Sequence, residues 1–172
     1  MKLGSKLANQ VAALNTLGTV PEMDDQLYVM GFGLDSTNSF PDRLQQLTYD
    51  YVQLCQNRFD KYNPTLHLCA DADGFQGTCA GDGGSPAVLA GPNGISTSTV
   101  VGLNSFSDDL CPSQTFDVYT RISTYADWVQ GQICRLASNK PSSCSDADCI
   151  FFAPLLRSFF DASNSLSSYF GF

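Results

Sequence analysis

The sequence predicts an all-β domain, an antiparallel barrel or sandwich, and three observations predict it. Six short runs rich in Val, Leu, Tyr, Phe and Thr recur along the first 135 residues. Clusters of Gly, Asn, Asp or Pro lie between most of them. Only one window near the end has helical spacing.

The strands fall at 26–32, 44–52, 65–70, 85–89, 97–104 and 116–121. Gly91-Pro92-Asn93-Gly94 is a strong turn signal, because proline fixes one backbone angle and Asn-Gly accepts positive φ. It predicts a hairpin joining 87–90 to 98–103. The helical window is 123–133, with apolar residues at Tyr125, Trp128, Val129 and Ile133 and with Ser123 or Thr124 as N-cap. After Cys134 the composition shifts. Residues 138–148 are rich in Ser, Pro and Asp, and 150–172 mix aromatic with Ser and Asn residues without a period. The expected organisation is a domain at 1–134 and a Ser/aromatic-rich, Cys-containing tail at 135–172, disordered or irregular.

At 172 residues and 43% hydrophobic, the chain can bury one good core. The net charge of −8 argues against nucleic acid and anionic membranes as partners. The apolar cluster at 150–156 is too short to span a bilayer. Seven cysteines, no Cys-x-x-Cys pair and a single histidine point to disulfides rather than to a metal site, and no cofactor is expected. Disulfides imply an extracellular or secretory setting. Residues 1–8 lack the apolar stretch of a signal peptide, so the natural N-terminus is expected to lie upstream.

The stretch Gly77-Thr78-Cys79-Ala80-Gly81-Asp82-Gly83-Gly84-Ser85-Pro86 resembles the nucleophile loop of trypsin-like (chymotrypsin-fold) serine proteases, whose pattern is Cys-x-Gly-Asp-Ser-Gly-Gly-Pro. Gly31-Phe32-Gly33 resembles the family's Gly-Trp-Gly, and Ser105-Phe106-Ser107 its Ser-Trp-Gly. Asp117-Val118-Tyr119-Thr120-Arg121-Ile122 followed by Tyr125-Ala126-Asp127-Trp128-Val129 resembles its closing strand and helix. Met1-Lys2-Leu3 resembles the strand after its catalytic aspartate. The order of these motifs covers about three quarters of the chain. It implies the C-terminal half of the fold, an antiparallel Greek-key β-barrel with a short C-terminal helix. The family's other, N-terminal barrel would be a partner absent from this chain. The resemblance also implies bridges Cys55–Cys69 and Cys79–Cys111, after which Cys134 and Cys144 form a possible pair and Cys149 is left over.

Acyl transfer in this family needs a hydroxyl nucleophile, an imidazole base, an orienting carboxylate and an oxyanion hole. By resemblance the nucleophile position is Gly83, which has no side chain. Ser85 is a weak substitute, because a two-residue slip would be needed to bring it into place. The sole histidine, His67, is read as structural or solvent-exposed rather than as the base. Gly81 and Gly83 would supply the oxyanion-hole N–H groups. Gly77, Ala80, Ser105, Phe106, Ser107 and Asp117 would line the substrate pocket, where Asp117 could receive a Lys or Arg. As an alternative, Asp117 is a solvated strand-edge residue. Asp82 would be the carboxylate that pairs with a new amino terminus on activation. Without that terminus the loop is expected to be loose.

The resulting expectation is a catalytically defective serine protease homologue that binds peptide or protein. Two alternatives stand beside it. One is a truncated product of an active secreted endopeptidase. The other is a non-enzymatic, disulfide-rich interaction module.

Overall fold

In β2 (Gln26–Gly31) the alternation of apolar and polar residues sends Leu27 and Val29 inward. In β3 (Gln45–Val52) the same period buries Tyr49 and Tyr51. The computed structural model describes residues 12–71, 76–92, 94–107, 116–137, 142 and 144. Around β2 and β3 it adds β1 (Ala13–Leu14), β4 (His67–Asp71), β5 (Pro86–Gly91), β6 (Gly94–Phe106) and β7 (Phe116–Arg121). All six predicted strands are present; β1, two residues long, was not predicted.

The strands run in the order β1-β6-β5-β2-β3-β4-β7, and β6 also pairs with β7. That last pairing closes β6-β5-β2-β3-β4-β7 into a six-stranded antiparallel barrel. β1 joins β6 in parallel. The predicted hairpin is β5–β6, with Gly91 opposite Gly94 and Pro86 opposite Leu103. The expected strand at 65–70 begins two residues late. The Asn63 side chain accepts the Thr65 N–H at 2.9 Å, and its carbonyl accepts those of Leu66 and His67, so the chain is still turning there.

Leu27, Val29, Tyr49, Tyr51, Leu68, Ala70, Ala87, Val101 and Tyr119 fill the barrel interior. Each side chain of Leu or Val size contributes about 1.5–3 kcal/mol by leaving water. A second cluster of Cys55, Cys69 and Val118 sits around the Cys55–Cys69 disulfide, whose Cα atoms are 5.8 Å apart.

The chain divides into two compact units, Met1–Thr124 and Tyr125–Phe172. The first holds the barrel. The second holds α1 (Ala126–Leu136) and the Cys134–Cys144 disulfide. The helix appears where its spacing predicted, but the cap differs. Tyr125 takes the N-cap position with no side-chain hydrogen bond. Thr124 does not cap; its hydroxyl donates to the Thr65 carbonyl instead. Met1-Lys2-Leu3, Cys111, Cys149 and nearly all of the expected tail lie outside the described residues.

Candidate functional site

Cys79 is disulfide-bonded, and it anchors a loop of tight turns that runs to β5. The Asp82 N–H donates to the Cys79 carbonyl at 3.0 Å, and the Ser85 N–H to the Asp82 carbonyl at 2.9 Å. Gly84 N–H donates to Asn104 O at 2.9 Å, and Asn104 N–H to Ser85 O at 2.8 Å, which stitches the loop to β6. Leu34 N–H donates to Ala80 O at 3.0 Å from the other side. Gly81 and Gly84 adopt φ of 101° and 85°, a region that costs other residues about 1–2 kcal/mol. The expected loose loop is therefore a hydrogen-bonded one.

Asp82 is the centre of this arrangement. Its carboxylate accepts the Gly33 N–H at 2.8 Å and the Cys79 N–H at 3.1 Å. Room for it comes from two glycines. A Cβ on Gly31 would lie 2.0 Å from Asp82 Oδ1, and one on Gly33 would lie 2.4 Å from its Cγ. The sequence motif Gly31-Phe32-Gly33 thus has a steric reason in this fold. Beside the carboxylate lies a cleft of about 260 Å³, lined on its apolar part by Val29, Leu34 and Leu47 and otherwise by polar and small residues that include Asp35, Gln76, Gly77 and Thr78.

Gly83 and Ser85 face different surroundings. Gly83 is exposed, and a Cβ added there would meet nothing within 4 Å. Ser85 is half-buried. Its Oγ lies 3.0 Å from where a Cβ on Gly31 would stand, so it points at β2. Both its N–H and its carbonyl are held in the ladder just described. Moving Ser85 to the position of Gly83 would break both bonds. The N–H groups of Gly81 and Gly83 donate to no acceptor among the described residues.

Asp117 is not a solvated edge residue. It is 1% exposed, and its Oδ2 accepts the Tyr49 hydroxyl at 2.6 Å and the Thr78 N–H at 3.0 Å. Burial pushes the hydroxyls of Tyr49 and Tyr119 well above the ordinary tyrosine range, with the Asp117 charge adding to both. Thr78 Oγ1 in turn accepts Asn104 Nδ2 at 3.0 Å. Asp117 is thus joined directly to Thr78, and Thr78 to the loop through Asn104; Asn104 and Tyr49, the second donor to Asp117, are residues that sequence reasoning did not single out. Ala80 and Ser105 are exposed, and Gly77, Phe106 and Ser107 are half-buried.

The model for the trypsin family matches residues 1–129. The chain belongs to the trypsin family. It is 26% identical over 72% of its length to ovochymase of Halocynthia roretzi, 30% over 60% to lectizyme of Glossina austeni, and 27% over 80% to alpha- and beta-fibrinogenase OhS1 of Ophiophagus hannah. It spans 9%, 39% and 51% of those proteins, respectively. The fold is similar to that of neuropsin, a serine protease expressed in the limbic system of mouse brain. The TM-score is 0.59 at 22% identity, over 70% of this chain and 52% of that one.

Within this trypsin-family barrel, His67 has a structural environment. Its Nδ1 accepts the Asn63 N–H at 3.0 Å, and its ring lies 5.8 Å from Tyr62 and 5.4 Å from Phe106. Partial burial lowers its pKa below the usual value. The unfolded chain therefore binds a proton more readily than the folded one. Stability should fall as the pH drops through about 6.5. Thermal melts between pH 7.5 and 5 should show this decline, and His67→Gln should flatten it. An unchanged slope in the variant would assign the decline to other groups.

Proposed function

We propose that the chain is a serine protease homologue that has lost proteolysis and retains binding. The observation that carries this reading is the contrast between positions 83 and 85. Gly83 stands where the family pattern puts its nucleophile, and it presents only hydrogen to an open surface. The nearby hydroxyl of Ser85 is turned onto β2. In enzymes of this kind, loss of a triad member leaves only about 10³–10⁴-fold catalysis over water. His67 is engaged by Asn63, Tyr62 and Phe106 and serves as no base here.

What remains is a receptive loop. The undonated N–H groups of Gly81 and Gly83 suit a peptide carbonyl, which they would hold without cleavage. Gly77, Ala80, Ser105, Phe106 and Ser107 would receive the adjoining side chain. Asp117 gives that pocket its negative charge from within the barrel, which favours Lys or Arg. The Asp82 carboxylate, one of the residues lining the cleft of about 260 Å³, suits a free amino terminus. A second barrel is the partner that fits the β2–β3 connection, where Phe32, Phe40 and Leu44 are each more than half exposed. The two described disulfides fit an extracellular protein.

The test is benzamidine binding set beside hydrolysis of a chromogenic arginyl ester. The disulfide-intact chain should bind benzamidine saturably, more weakly in Asp117→Asn, and should not turn over the ester. Affinity unchanged by Asp117→Asn would remove Asp117 from the pocket, and turnover would overturn the loss of proteolysis.

A further inference from the structure

We propose that Arg121 is the floor of a second ligand site, one that takes a single carboxylate. Arg121 ends β7 and is only 9% exposed. A guanidinium this deep ordinarily has a counter-anion, since an unpaired buried charge costs several kcal/mol. None exists here: no carboxylate forms an ion pair with Arg121 among the described residues. Its two recorded acceptors are neutral, the Tyr51 hydroxyl at 3.1 Å and the Gly18 carbonyl at a long 3.4 Å. Its Nε finds no acceptor among the described residues.

Arg121 lines a cleft of about 700 Å³, which shares no lining residue with the one beside Asp82. The wall composition fits a peptide segment carrying one acid. Pro21, Met23, Tyr62 and Pro64 offer apolar and aromatic surface, and Gln53 and Gln56 offer amide donors near the mouth. Glu22 is the one carboxylate in the described lining. A guanidinium matches a carboxylate with two parallel N–H···O bonds, and inside a cleft such a pair is stronger than at an open surface. The chain's net charge of −8 disfavours a polyanion, so one isolated carboxylate fits better than a nucleic acid or a sulfated glycan.

The carboxylate can come from an acidic side chain or from a peptide C-terminus. Three probes separate these sources: acetyl-Leu-Glu-amide, acetyl-Leu-Gln-amide, and acetyl-Gln-Leu with a free C-terminus. Binding to the full, oxidised chain would be followed through the ring-proton shifts of Tyr51 and Tyr62. At least one acidic probe should bind about tenfold or more tightly than the neutral one. Arg121→Met should abolish the difference, and Arg121→Lys should shrink it, because lysine is a point charge without the fork. Gln56→Glu places a competing anion on the exposed rim and should weaken the acidic probe alone, which keeps the test usable if Arg121→Met does not fold. Equal binding of all three probes overturns the proposal. So does an acid preference that survives both Arg121→Met and Gln56→Glu.

Discussion

Replacing Asp117 by alanine is expected to destabilise the barrel by about 2–4 kcal/mol. The substitution strands two buried donors, the Tyr49 hydroxyl and the Thr78 N–H. An unsatisfied buried donor costs about 1–3 kcal/mol, and relief of a buried charge offsets part of the sum. For a chain of this size, each kcal/mol moves the melting temperature by about 2–4 °C, so a drop of roughly 5–15 °C should be seen by circular dichroism. Asp117→Asn keeps an acceptor for the Tyr49 hydroxyl or the Thr78 N–H and should lose less than half as much. The damage should also reach the Gly81–Ser85 loop, because Thr78 is tied to Asn104 and Asn104 to Ser85. An Asp117→Ala barrel that melts with the wild type would show that this network contributes nothing.

The second large effect is expected at Gly31. Alanine there sets a methyl group 2.0 Å from Asp82 Oδ1 and 3.0 Å from Ser85 Oγ. The carboxylate must leave, and with it go its bonds from the N–H groups of Gly33 and Cys79. Overpacking and two lost charge-assisted bonds together predict about 2–4 kcal/mol. A double-mutant cycle separates the causes. In Asp82→Ala the clash partner is gone, so Gly31→Ala should cost little on that background. Simple additivity of the two substitutions would mean that Gly31 does not act through Asp82.

The strands were legible because each is rich in β-forming residues and most are flanked by turn residues. Gln26–Gly31 and Phe116–Arg121 needed no distant information. The helix was legible from Trp128, Val129 and Ile133, but its cap was not: Thr124 chooses between its own helix and the Thr65 carbonyl, and Thr65 is 59 residues away. The same limit applies to the site. The family pattern located Asp82 and Gly83, and it named Gly31 and Gly33 without their reason. That reason is steric and exists only once β2 meets the loop. Asp117 was read as a wall residue or as a solvated one, since its partner Tyr49 lies 68 residues earlier in the chain. Arg121 was named only as part of the closing-strand motif. Its lack of a counter-ion among the described residues is a property of packing and is written nowhere in the local sequence.

The proposed loss of proteolysis requires that no activated hydroxyl stand at the head of this loop. Reaction with a fluorophosphonate probe, followed by intact-mass and peptide mapping, tests it most directly. The wild-type chain should remain unmodified. Gly83→Ser should fold normally, since the added side chain meets open space. A stoichiometric adduct on Ser85 of the wild-type chain, lost in Ser85→Ala, would contradict the account.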